Sequence, residues 1–111
     1  MNSSDCVVMG EACVDLILRP LPLDRPLLDS ATHHIEPMRP VTGGIVPNAG
    51  IAMSRLGTRV TAFCVLGDDA WGKFLAAQLN KEGVETTAIE ICSQSATTAT
   101  AVLVAEDGTH T

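Results

Sequence analysis

The chain has 111 residues, 46% apolar and 18% charged, a composition that builds a core and excludes wholesale disorder. Seven Lys+Arg against thirteen Asp+Glu leave a net charge of −6, with no basic run to grip a phosphate backbone or an anionic membrane. Aromatics are 3%, namely Phe63, Trp71 and Phe74, too few for a base-stacking platform.

The opening Met1-Asn2-Ser3-Ser4-Asp5 lacks the positive start of a signal peptide, and no apolar run approaches the roughly 18 residues of a membrane span. Cys6-Val7-Val8-Met9 closed by Gly10 reads as a buried, central, parallel strand. Residues 13–18 (CVDLIL) form a second apolar run with Asp15 inside it, and the prolines of residues 19–26 make an extended loop. Residues 32–41 alternate loosely, and their prolines demote them to an edge strand at best. Thr42-Gly43-Gly44 reads as a break. A helix then opens at Pro47-Asn48-Ala49, with Ala49, Ala52, Met53 and Leu56 on its apolar face and Gly57 as its stop.

Residues 59–66 predict a strand closed by Gly67-Asp68-Asp69. A second helix follows, with Trp71, Phe74, Leu75 and Leu79 as its apolar face, Lys81 in its last turn and Gly83 beyond its end. Residues 86–92 predict a short strand, and the β-branched run 97–105 another. Glu106-Asp107-Gly108-Thr109 is a hairpin turn whose partner strand has no room before Thr111, so the chain is expected to be the N-terminal piece of something longer.

Cys6, Cys13, Cys64 and Cys92 form no C-x-x-C pair, which points to free thiols in a reducing cytoplasm rather than zinc or disulfides. His33, His34 and His110 have no second ligand at metal spacing and read as surface histidines. No metal-binding residue is assigned.

Strand–helix alternation predicts an α/β layer with right-handed crossovers and ligands beyond the carboxyl ends of the strands. Gly43-Gly44 lets backbone approach a ligand, the adjoining helix start adds a positive dipole end, and Asn48 offers a donor and an acceptor. The same residues also fit ordinary turn and N-cap chemistry. The segment is neither a P-loop nor a dinucleotide fingerprint. Asp15 is either a solvent-facing residue of a half-exposed sheet or an acceptor for two adjacent sugar hydroxyls. Asp68-Asp69 fit helix capping better than a paired-carboxylate site.

Taken as an ordered set, Gly10-Glu11, Asp15, Gly43-Gly44, Asn48, Leu56-Gly57, Leu66-Gly67-Asp68-Asp69, Gly72 and Gly83-Val84 resemble the start of the ribokinase-like (PfkB) sugar kinases. The resemblance runs over nearly the whole chain. It implies a three-layer α/β/α fold with a mostly parallel central sheet and a small β-sheet lid. Central-sheet strands and helices would fall at about 5–10 and 46–92, and lid strands at about 13–41 and 97–111.

It also implies transfer of the ATP γ-phosphoryl group to a sugar hydroxyl with Mg²⁺, with Asp15, Gly43, Gly44 and Asn48 holding the substrate. A homodimer through the lid strands would be in keeping with it. Ile45 stands where ribokinases proper carry lysine, which speaks against ribose. Val46 and Gly50 also depart from the signature, and Gly50 in a helix costs about 1 kcal/mol relative to alanine. The family's Gly-Ala-Gly-Asp turn, which provides the catalytic base, is absent, as are the ATP-binding elements. By itself the chain is therefore expected to be inactive and poorly stable. The competing readings are a short protein that binds a sugar or pairs strands without catalysis, and a nucleotide-binding α/β module of another family. The second is weakened because Gly10-Glu11-Ala12 is no phosphate-binding loop.

Overall fold

The computed structural model describes residues 3–27 and 32–111; residues 28–31, inside the expected lid span, lie outside them. The elements are β1 (Cys6–Met9), β2 (Cys13–Leu18), β3 (Pro40–Gly43), α1 (Ile45–Arg55), β4 (Val60–Phe63), β5 (Val65–Gly67), α2 (Ala70–Lys81), β6 (Glu90–Cys92) and β7 (Ala99–Leu103). They fall into two compact units, residues 1–14 with 42–99 and residues 15–41 with 100–111.

In the first unit β1 pairs parallel with β4, Cys6 opposite Val60 and Met9 opposite Phe63, and β5 pairs parallel with β6. Alternate residues Val60, Ala62, Cys64 and Leu66 are buried, and with Val14, Leu75, Leu79 and Val84 they form the core. The other face is open: Val7, Met9, Phe63 and Val65 are 59%, 68%, 47% and 56% exposed. β1 is thus parallel, as its composition predicts, but buried on one side only. Among the described residues α1 packs on the Val8–Val60 face and touches α2, and no helix covers Val7 and Met9.

α1 begins two residues earlier than its sequence pattern suggests, and its inward face is Val46, Pro47 and Gly50. Leu56, expected on that face, is 86% exposed. Gly50 explains the shift. A Cβ there would lie 3.2 Å from Val8 Cγ2, so the bare backbone sets how closely helix and sheet approach. Both helices end in the same way. Gly57 and Gly83 take positive φ, and their N–H groups donate to the carbonyls of Ser54 and Asn80. The next residues, Thr58 and Val84, reach back to Met53 and Leu79. This is the Schellman arrangement, in which a glycine satisfies the last helical carbonyls. Arg55 then pairs with Glu82 at 2.7 Å, joining the two helix ends.

The strand expected over residues 86–92 is interrupted. Glu85 bridges Thr61, while the Glu85 carboxylate accepts the N–H groups of Thr86 and Thr87 and folds a turn before β6 resumes at Glu90.

The second unit is built on β2, β3 and β7, in the order β3-β2-β7. β3 is an edge strand, and Pro40 opens it, where a missing donor removes no ladder bond. β3 carries through Thr42 and Gly43, so those residues extend a strand rather than break the chain. Beyond β7 the predicted turn forms: Ala105 donates to the Thr109 carbonyl and Val104 bridges His110 antiparallel.

Candidate substrate site

The turn after β1 and the start of α1 are built against each other. Gly44 is the N-cap of α1 at φ +88, and a Cβ there would come within 2.7 Å of the Glu11 carbonyl oxygen. That carbonyl accepts the Val46 N–H at 3.0 Å, and the Gly44 carbonyl accepts the Asn48 N–H at 3.2 Å. No side chain caps α1 and its first turn holds no acid, so the positive end of its dipole is not neutralised from within the helix. Pro47 contributes no N–H. Gly43 is buried and the Asn48 residue is exposed in that first turn. Three of the four predicted substrate residues therefore cluster at one helix start, in a crowded turn where glycine fits and larger residues do not. Asp15 lies in β2, half-buried and engaged by neighbouring groups.

The start of α2 is closed. Asp69 is its N-cap, and the carboxylate accepts the N–H of Gly72 at 2.8 Å. It also accepts the Thr97 N–H at 2.8 Å and the Thr97 hydroxyl at 2.6 Å. The Thr97 Oγ1 in turn accepts the Gly67 N–H at 2.9 Å. The Thr97 hydroxyl, then its N–H, then that of Gly72 hold the Asp69 carboxyl below the usual carboxylate range. A Cβ on Gly72 would sit 2.2 Å from the Gly67 carbonyl oxygen, and one on Gly67 2.4 Å from the Ser95 carbonyl oxygen. The capping role expected of this Asp-Asp pair falls to Asp69, and Asp68 is exposed. The sequence gives no sign of the partner, Thr97, because it lies 28 residues away.

Among the described residues no three His, Cys, Asp or Glu side chains converge as a metal ion would require. No disulfide joins the four cysteines, Cys13 and Cys64 are buried, and burial pushes the Cys64 thiol up. A cleft in the second unit, lined by Pro20, Leu23, Arg25, His34 and Asp107, contains none of the predicted residues. No helix among the described residues is long and apolar enough to cross a membrane.

The family model described as pfkB family carbohydrate kinase matches residues 3–111, and the chain belongs to that family. Over 83 residues it is 30% identical to the 5-dehydro-2-deoxygluconokinase of Bacillus subtilis (strain 168), covering 75% of this chain and 23% of that protein. The ribokinase of Cryptococcus neoformans var. grubii serotype A in complex with ADP superposes on 98% of this chain and 33% of its own, at TM-score 0.78 and 27% identity. The fructokinase of Xylella fastidiosa with bound ATP covers 98% of this chain and 32% of its own, at TM-score 0.74 and 25% identity. The fold is ribokinase-like α/β, and the chain spans 23% of the length of the curated relatives it matches.

Proposed function

We propose that the protein carrying this chain transfers the γ-phosphoryl group of ATP to a hydroxyl of a sugar or sugar-like substrate. In this reading Asp15, Gly43, Gly44 and Asn48 hold the substrate's hydroxyls. The observation that carries it is the helix start at Gly44. It is sterically closed to a side chain, carries no side-chain cap and has no acid in its first turn. Asp15 supplies a carboxylate able to accept hydrogen bonds from two hydroxyls, and Asn48 an amide that both donates and accepts. Phosphoryl transfer needs an aligned hydroxyl in a water-poor site, which is positioning work. ATP with Mg²⁺ supplies the phosphoryl group and neutralises the charge that develops on it. No part in holding either, and no catalytic base, is assigned to this chain.

Four cysteines without a disulfide suit a reducing, cytoplasmic setting. The edge position of β3, with Val41 exposed on it, suits strand pairing between two copies.

A panel of D-fructose, D-ribose, 5-dehydro-2-deoxy-D-gluconate and a nucleoside, assayed by ADP release on the protein at its full natural length, tests the activity. Release with none of them would reject the reading. Asp15→Ala is expected to raise the sugar KM at least about a hundredfold, because two charge-assisted hydrogen bonds are lost, with the melting temperature retained. Unchanged KM would remove Asp15 from the site. The 111 residues alone are expected to show no turnover.

A further inference from the structure

We propose that Asp69 and Thr97 are positioning residues for Asp15, acting through the backbone of Thr98 and Val14. The inference rests on the reading of Asp15 as a substrate ligand. The path is short and continuous. Asp69 is fixed at the first turn of α2, where it caps Gly72. It holds both the N–H and the hydroxyl of Thr97, a residue only 7% exposed, and Gly67 locks the same hydroxyl from behind. Thr97 therefore has every polar group except its carbonyl tied to the α2 start.

The next residue, Thr98, presents its carbonyl to the Val14 N–H at 3.0 Å. Val14 is fully buried, so its own placement admits little slack. Asp15 is the next residue along β2. Displacing Thr97 therefore displaces the bond that sets where the Asp15 backbone begins. The crowding at Gly67 and Gly72 serves the same end, because a side chain at either would push the Ser95–Thr97 segment away.

A carboxylate that must meet two hydroxyls tolerates displacement of a fraction of an ångström, so such support is read out in substrate affinity. Thr97→Val keeps the side-chain volume and removes the hydroxyl, and Thr97→Ser restores it. On the protein at its full natural length, with the best substrate among D-fructose, D-ribose and 5-dehydro-2-deoxy-D-gluconate, Thr97→Val should raise the sugar KM about tenfold. The ATP KM should stay unchanged, and Thr97→Ser should return the sugar KM to within about twofold of the parent.

The decisive comparison is made in an Asp15→Asn background. There Thr97→Val should add no further loss of sugar affinity, while its effect on melting temperature should persist undiminished. A merely structural role would lower the melting temperature and leave the sugar KM unmoved, or would add its full factor on top of Asp15→Asn. Either result overturns the inference. Should Thr97→Val prove poorly folded, Asp69→Asn gives the same test, since its amide N–H₂ faces the Thr97 N–H and one of the two clamp oxygens is lost. If Asp15→Asn itself leaves the sugar KM unchanged, the reading of Asp15 fails and this inference with it. If Asp15→Asn raises KM and Thr97→Val does not, the inference alone fails.

Discussion

Helix α1 starts at Gly44 with no side-chain cap and no acid in its first turn, whereas α2 starts at Asp69, whose carboxylate takes three hydrogen bonds. Both starts follow a strand, and both are built on glycines too crowded to carry a side chain. The difference is what occupies the donors. At α2 a carboxylate from the chain itself neutralises the dipole and ties down Thr97. At α1 no carboxylate does so: the Glu11 main-chain carbonyl takes the Val46 N–H, Pro47 has no N–H to give, and the first turn carries no acid. The same local geometry thus serves as a fastening at α2 and, under the proposed function, as a receptor at α1. Which it becomes is decided by whether a cap residue precedes the helix.

Substitutions at the two starts should separate these roles. The largest effect is expected at the closed one. Gly72→Ala would place a Cβ 2.2 Å from the Gly67 carbonyl oxygen and 2.9 Å from Thr97 Oγ1, both fixed by the clamp. Overpacking of this kind costs about 3 kcal/mol or more, which denaturant melts would register as a marked fall in midpoint. A midpoint within error of the parent would mean that the clamp yields easily. At the open start the change should appear in binding instead. Asn48→Ala removes an exposed side chain, so stability should stay within about 0.5 kcal/mol, while the sugar KM rises about tenfold. Loss of stability with an unmoved KM would turn the comparison round and make Asn48 a structural residue.

Much of the frame is legible in residue order. Glycines at 57 and 83 mark helix ends because only a residue at ease with positive φ can close the Schellman turn. The Asp-Gly pair at 107–108 marks the hairpin for a related reason. The inward face of α1 is less legible. A count of apolar residues selects Ala49, Ala52, Met53 and Leu56, yet packing selects Val46, Pro47 and Gly50, because close approach to Val8 favours the smallest side chain over the most apolar.

The run 86–92 looks continuous, but the Glu85 carboxylate competes for the backbone donors of Thr86 and Thr87 and turns the chain out of the sheet. At the candidate site, Gly43, Gly44 and Asn48 are adjacent in sequence, so their grouping was visible before any fold was known. The support behind Asp15 was not. It depends on Asp69 meeting Thr97 across 28 residues, and nothing local to either residue encodes that meeting.

Acid should act on the closed start and pass over the open one, whose first turn carries no acid. The Thr97 hydroxyl and the N–H groups of Thr97 and Gly72 hold the folded Asp69 carboxyl below the value of about 3.9 that an aspartate shows in an unfolded chain. A depressed carboxyl contributes its full stabilisation above the unfolded pKa, and that contribution fades as the pH falls through the folded one. Below about pH 4 the clamp should therefore weaken.

Asp5, held down by Arg59, and Glu82, held down by Arg55, titrate in the same direction, but as exposed ion pairs. At about 1 M salt the screening length shrinks to about 3 Å and their share is largely removed. Urea midpoints measured between pH 6 and pH 3 in high salt should still fall for the parent protein, and should fall less for Asp69→Asn, which has no carboxyl to protonate. Equal slopes for the two would show that the clamp does not titrate, and the contrast between a helix start capped by a side chain and one without such a cap would then rest on packing at Gly67 and Gly72 alone.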